Sequence, residues 1–259
     1  MPIELSLVIP AYNEAARLPP FLTTVKAYLP RALGERYEVI VVDDGSDDAL
    51  EAALRPITAA WPQFTLLRHA HNRGKGAAVC TGVLAACGQL VLVADADGAT
   101  PVEEEGKLRR AIMGGALLAV GSRYLRAEGQ ARTRLWYRDA CGALFARAAR
   151  LLLALPVRDT QCGFKMFRRD VGRHLVGLCR EQGYLLDVEL LLWAQRFGYE
   201  TAEIPISWQE VPGSKVRLVR DGWRLLHGLW RLRRAFRAGR PVVRPLPAAH
   251  SVGSLGASR

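Results

Sequence analysis

Apolar, β-branched runs recur through the first half of the chain, and three of them close on acidic residues. This pairing restricts the fold more than any other feature. A strand buried on both faces reads as a continuous apolar run, and a carboxylate is tolerated only where the strand emerges at the sheet edge. Glu4–Pro10 (ELSLVIP) is predicted as the first strand, followed by Ala11-Tyr12-Asn13-Glu14. Tyr37–Val42 is the second, closed by Asp43-Asp44-Gly45-Ser46, where Ser46 is placed to cap the next helix. Thr65–Arg68 is the third, Gln89–Ala94 the fourth, closed by Asp95-Ala96-Asp97, and Leu117–Gly121 the fifth. Helices are predicted over Leu18–Leu29 and Gly74–Ala86. Thr100, Pro101 and Glu103 mark another start as N-cap, N1 and N3. This alternation predicts an α/β fold: a doubly wound, Rossmann-like, mostly parallel sheet flanked by helices, with ligands at the strand C-termini.

The second half is less regular. A long helix is expected from Thr133 to Leu155, then a turn and short strand within Asp159–Phe167. Helices follow near Arg169–Cys179 and Asp187–Phe197, a strand at Thr201–Trp208, and an amphipathic helix over Asp221–Phe236. The best apolar stretch, Leu144–Val157, is broken by Arg147 and Arg150, so no membrane-spanning helix is expected. Met1 to Glu4 runs straight into the first strand without a basic leader, so no secretory signal is expected. Cys80, Cys87, Cys141, Cys162 and Cys179 form no CxxC pair and read as free thiols of a reducing compartment.

The acidic strand ends carry chemistry. Asp95 and Asp97, one residue apart, repel unless neutralised. A hard divalent cation such as Mg²⁺ or Mn²⁺, shared with a diphosphate, would do so, because Mg²⁺ takes one or two carboxylates plus phosphate oxygens. A solvated turn with incidental acids is the plainer alternative. Asp43 and Asp44 offer acceptors for ribose hydroxyls or a base N–H; alternatively they cap a helix. Asn72-Arg73-Gly74-Lys75-Gly76 opens a helix with glycines and cations, which suits phosphate contact at the helix N-terminus, although the spacing is not that of a P-loop. Gly213-Ser214-Lys215 is a further cationic loop.

Together these blocks resemble the inverting family 2 glycosyltransferases of the nucleotide-diphosphosugar transferase (GT-A) fold, and within them the dolichyl-phosphate β-glucosyltransferase branch. The matching blocks are VIPAYNE (Val8–Glu14), VVDDGSDD (Val41–Asp48), NRGKGAAV (Asn72–Val79), ADADGAT (Ala94–Thr100), GSRY (Gly121–Tyr124), RDTQCGFKMF (Arg158–Phe167), DVELL (Asp187–Leu191) and WQEVPGSK (Trp208–Lys215). The resemblance implies transfer of a hexose, glucose from UDP-glucose, to a dolichyl or undecaprenyl phosphate. The alternative is a GDP-mannose donor or a hydroxyl acceptor in cell-envelope glycan synthesis. Gly98-Ala99-Thr100 departs from the Leu-Gln-His-Pro of the mannosyl-phosphate branch, which favours the uridine donor. By the same resemblance, Pro10, Ala11, Tyr12, Glu14, Val42, Asp43, Asp44, Lys75, Asp95, Ala96 and Asp97 would line the nucleotide sugar. Glu14 would sit near ribose and Asp44 at the base. Asp95 and Asp97 would hold the metal. Arg123, Arg134, Gln161, Ser214 and Lys215 would meet the acceptor phosphate. Asp97, Arg123, Asp159 and Lys215 would be catalytic. A phosphate acceptor needs no strong base; a hydroxyl acceptor would need one, with Asp159 and Asp187 as candidates.

Charge completes the reading. The chain carries a formal +11, but Arg217–Arg244 holds +8 and Arg123–Arg150 holds +5, leaving the remainder at −2. Two segments therefore carry the basic excess on a near-neutral body, which points to an anionic partner. Nucleic acid is disfavoured, since acidic strand ends would repel it and no binding module is visible. In Asp221–Phe236, Trp223, Leu226, Leu229, Trp230 and Phe236 form one stripe, opposed by Arg220, Arg224, His227, Arg231 and Arg234. That pattern fits a helix lying in an anionic membrane surface on the cytoplasmic side. Packing of the apolar stripe on the core is the alternative. The expected organisation is a catalytic domain over 1–215, a basic amphipathic helix over 216–238 and a disordered tail over 239–259. Nothing in the sequence sets the oligomeric state.

Overall fold

The structure, a computed structural model, describes residues 2–125, 132–133, 136–211 and 218–237. Nine strands, β1 (Leu5–Ala11), β2 (Tyr37–Asp43), β3 (Phe64–Arg68), β4 (Leu90–Val93), β5 (Leu118–Ser122), β6 (Arg132–Thr133), β7 (Lys165–Arg168), β8 (Thr201–Pro205) and β9 (Trp208–Gln209), are described. The described helices are α1 (Leu18–Leu33), α2 (Leu50–Thr58), α3 (Lys75–Ala85), α4 (Glu105–Met113), α5 (Trp136–Leu153), α6 (Arg169–Leu178), α7 (Leu186–Arg196) and α8 (Leu218–Arg237). Seven strands form one sheet in the order β3-β2-β1-β4-β7-β5-β8, and β6 pairs with β9 apart from it. All sheet pairings are parallel except those of β7, which runs antiparallel between β4 and β5. The mostly parallel α/β sheet is thus as the alternation predicts. The antiparallel strand has no local signature, because pairing direction is set by where the chain returns from.

Register decides where the acids stand. Ala11 pairs with Asp43, and Val8 pairs with Val93. The Ala94 N–H still donates to Val8 O, so Asp95 emerges beside the last residues of β1. The β1–β4 boundary, where successive strands switch direction of travel along the sheet, is the switch point at which open α/β sheets bind ligands. Leu7, Val8, Val41, Leu92 and their neighbours are buried on both sides of the sheet, which is why these runs are unbroken by polar residues.

Three local expectations change. Ser46 does not cap a helix: its Oγ accepts the Asn13 N–H, and α2 starts four residues later from Ala49 in the left-handed region. Thr100-Pro101 does not start a regular helix: Pro101 is extended, and a single 3₁₀ turn over Val102–Glu104 leads into α4. In α8 the apolar residues divide between two faces. Leu229 and Leu232 are fully buried, and Phe236 meets Trp193 of α7 edge-on at 4.9 Å, while Leu226 and Trp230 stay exposed. Arg231, placed by the pattern on the free basic stripe, pairs with Glu181 and helps hold the helix on the body. The side chains of Arg220, Trp223 and Arg224 lie outside the described residues, as does the whole 239–259 tail. No helix among the described residues is long and apolar enough to cross a membrane.

Candidate active site

The wall of the cleft is built by the ends of β1 and β2. Asn13, at φ 53°, donates its backbone N–H to Ser46 Oγ at 2.9 Å and accepts the Asp47 N–H on Oδ1 at 2.8 Å. The Ala15 N–H donates to Asp48 Oδ2 at 2.8 Å, so the two loops are stitched together on the Pro10–Glu14 side. Val42, Asp43 and Asp44 are buried. Asp43 accepts the Ser46 N–H and pairs with Arg68 at 3.3 Å. Asp44 accepts N–H bonds from Arg73 and Gly74 and from His69 Nδ1 at 2.7 Å, which leaves His69 Nε2 to accept from the Thr81 hydroxyl. The residue expected to hold the base thus holds the chain at 73–74.

Two like charges stand at the end of β4, and the chain supplies a cation to each. Lys75 Nζ lies 2.5 Å from Asp95 Oδ1. Arg17 binds Glu14 through Nε at 2.7 Å and Nη2 at 2.5 Å, and its Nη1 stands 3.6 Å from Asp97 Oδ2. Burial pushes the Asp95 carboxyl up, but Lys75, then Lys165 and Arg123, outweigh it and hold the group below the usual carboxylate range. Burial and the charge of Asp95 raise Asp97 above that range. Burial pulls Lys75 down, yet Asp95 and Asp187 hold it well above the ordinary ammonium value. Glu14, expected near ribose, is mostly buried and clamps Arg17. Arg17 was not singled out by sequence; the one signal for it was a cation three residues after the acid of VIPAYNE.

The glycines of NRGKG also allow a close backbone approach. A Cβ on Gly74 would lie 2.4 Å from Gln182 O, and one on Gly76 2.7 Å from Gln182 C. The Ala77 N–H donates to Gln182 O at 3.1 Å, so the segment before α7 occupies the first turn of α3. Gly163 is a second close approach: a Cβ there would stand 2.4–2.6 Å from the Asp95 carboxylate. Ala96 is buried behind the acids.

After β5 the charges reverse. Arg123, following β5, binds Asp159 with Nε at 2.7 Å and Nη2 at 2.8 Å, and its own backbone N–H reaches the same carboxylate at 3.0 Å. The guanidinium also lies 5.9 Å from the Tyr124 ring and 5.8 Å from the Trp208 ring. Asp159 is fully buried and is steadied by Glu203, which accepts the Arg158 and Asp159 N–H groups. Burial raises Asp159, but Arg123 overrides it and leaves the acid below the usual range. Asp187 pairs with the buried Lys165 at 2.8 Å. Gln161 donates to Tyr184 O at 3.4 Å, and burial pushes the neighbouring Cys162 thiol up to about 12. The Gln209 N–H donates to Ala99 O at 2.9 Å, which ties β9 to the loop of Asp97. Arg134, Ser214 and Lys215 lie outside the described residues.

Asp95 and Asp97 fit a divalent ion whose remaining ligands come from a diphosphate. Two carboxylates at one strand end match that donor set, and the described residues contain no cluster of three or more acidic, His or Cys ligands that would hold an ion alone.

Comparison with known proteins shows the family and the fold. The model of glycosyl transferase family 2 matches residues 6–175. A dolichyl-phosphate beta-glucosyltransferase of Trichomonas vaginalis is 36% identical over 222 residues, covering 82% of this chain and 66% of the relative. The enzyme of that name from Saccharomyces cerevisiae is 34% identical over 254 residues, covering 92% and 76%. The chain thus spans about two thirds to three quarters of the length of these relatives. The crystal structure of glucosyl-3-phosphoglycerate synthase from Mycobacterium tuberculosis in complex with UDP superposes with a TM-score of 0.65 at 19% identity, covering 92% of this chain and 82% of that one, and shares the fold.

Proposed function

The chain belongs to glycosyl transferase family 2, and we propose that it transfers glucose with inversion from UDP-glucose to a polyprenyl phosphate, dolichyl or undecaprenyl, at the cytoplasmic face of a membrane. The carrying observation is the reversal of charge across the cleft: acids with attendant cations at the β1–β4 switch point, and a cation with an attendant acid opposite. The first side suits a metal-bound nucleoside diphosphate; the second suits an anionic acceptor. Asp95 and Asp97 would hold Mg²⁺ or Mn²⁺, which when bound neutralises charge developing on the departing diphosphate. Lys75 holds Asp95 below the usual carboxylate range and orients it beforehand, and Arg17 stands beside Asp97. Pro10, Ala11, Tyr12 and Val42 form the nucleotide wall, and Asp43 and Asp44 act by holding that wall in place.

The acceptor follows from what is missing chemically. A hydroxyl acceptor needs a general base, and the candidates Asp159 and Asp187 are tied to Arg123 and Lys165. A phosphate monoester, with a second pKa of about 6, is largely a dianion at neutral pH and attacks without one. Arg123, backed by Asp159 and flanked by Tyr124 and Trp208, is placed to orient it, with Arg134, Gln161, Ser214 and Lys215 as further contacts. Residues 1–215 make the catalytic domain in this reading. The basic helix region 216–238 is the membrane-facing element, and 239–259 is a tail outside it. The test is direct: purified protein is incubated with UDP-glucose or GDP-mannose, polyprenyl phosphate, and Mg²⁺, Mn²⁺ or chelator. Metal-dependent glucolipid formation supports the assignment. Preference for GDP-mannose, or transfer undiminished by chelator, overturns it.

A further inference from the structure

One face of α8 remains after the catalytic site and the helix's own packing are accounted for. Leu225, Leu229, Leu232 and Phe236 turn inward, and Arg231 is engaged by Glu181. Trp230, Arg233, Arg234 and Arg237 follow at i, i+3, i+4 and i+7 and so share a single stripe. They line an open surface depression of about 410 Å³. Trp230 is 55% exposed, and the Arg234 guanidinium sits 5.7 Å from its ring. Arg233 Nε is buried without a hydrogen-bond partner. Among the described residues none of these three arginines forms an ion pair, in contrast to Arg231. Cations near a helix C-terminus are favourable, but that accounts for a charge in the last turn and not for three arginines gathered around an exposed Trp.

We propose that this stripe is a binding site for the phosphate headgroup of an anionic membrane lipid, separate from the acceptor site at Arg123. Three guanidiniums that form no ion pair among the described residues match phosphate oxygens, and the Nε of Arg233 has no hydrogen-bond partner there. The lipid rather than a soluble phosphate is the occupant because the same face continues into apolar surface. Leu226, 43% exposed, lies one turn before Trp230, so the stripe passes from apolar to cationic as a lipid passes from acyl chains to phosphate. The proposal rests on the membrane reading above and sharpens it from a diffuse basic patch to four named side chains.

The test is co-sedimentation of the full chain with phosphatidylcholine vesicles, with and without phosphatidic acid. Binding is expected only with phosphatidic acid. Each arginine removed should weaken it about fivefold, the increment of one cation at an anionic leaflet. The triple Arg233→Gln, Arg234→Gln, Arg237→Gln variant should therefore lose about a hundredfold, and Trp230→Ala should lose binding at unchanged charge. A control triple on other helices, Arg31→Gln, Arg55→Gln and Arg110→Gln, removes the same charge and should retain it. Equal loss in both triples, or binding of inorganic phosphate at α8 with vesicle binding untouched, overturns the proposal. Glucose transfer to a detergent-dispersed acceptor separates the two readings: transfer retained while vesicle binding ignores the α8 variants sinks this site alone. A wild-type chain that neither transfers nor binds sinks both.

Discussion

The two banks of the cleft are built from the same residue types with the signs exchanged. On the donor bank, at the ends of β1, β2 and β4, carboxylates face the cleft and Lys75 and Arg17 stand beside them. On the acceptor bank, after β5, a guanidinium faces the cleft and the buried Asp159 stands behind it. In each case one charge is the more exposed member of the pair, and its opposite-charge partner offsets the cost of drawing it out of water. The difference teaches that, under the proposed function, one bank suits a cation plus diphosphate and the other a free anion.

That contrast can be broken from either bank. Arg123→Ala should have the largest effect: it leaves Asp159 charged and buried, at about 3–5 kcal/mol of folding stability. Arg123→Ala with Asp159→Asn should recover most of the melting temperature but not acceptor affinity. Recovery of both would mean that Arg123 only supports the fold. Asp97→Asn comes next, with transfer reduced about 10²–10³-fold and the fold intact by circular dichroism. Turnover close to wild type would remove the donor-bank assignment. Gly163→Ala sharpens the comparison at close range. The added Cβ must displace Asp95 from Lys75, so donor and Mn²⁺ affinity, read by calorimetry, should fall about tenfold (about 1.4 kcal/mol) with little change in melting temperature. Arg17→Gln should raise the donor KM about fivefold (about 1 kcal/mol) and leave acceptor KM alone; a shift in acceptor KM instead would place Arg17 wrongly.

The smallest effect is in acid. Asp159 titrates below its usual value when folded, so its pairing contributes stability above the ordinary aspartate pKa of about 3.9. That contribution disappears as pH falls through the depressed value. Below about pH 4, the wild-type melting temperature should therefore fall more steeply than that of Asp159→Asn. Parallel curves would show that Arg123 does not govern this acid.

Much of the donor bank was legible in the chain because its parts are local. An apolar run followed at once by Asp95 and Asp97 places both acids at a sheet edge whatever the rest does. The α/β class and the likeness to glycosyltransferases follow from such blocks. The roles of Asp44 and of the NRGKG glycines were not legible. Asp44 reads as a free acceptor until the loop at 73–74 folds over it, and Gly74 reads as a phosphate cradle until Gln182 arrives more than a hundred residues later. The α8 pattern likewise could not say which of its apolar residues would meet α7.

By itself, then, the sequence determined the alternation of elements, the strand ends on which the acids ride, and the concentration of arginine in two segments. Tertiary structure alone decided the partners: Arg123 with Asp159 across 36 positions, Lys165 with Asp187 across 22, and Arg17 with Asp97. It also decided that Trp230, Arg234 and Arg237 of α8 stay exposed while Leu229 and Leu232 do not. The physical reason is range. Backbone preference and hydrophobic periodicity act between near neighbours and are written in local spacing, whereas a buried charge takes whichever opposite charge the packed sheet brings within a few ångströms.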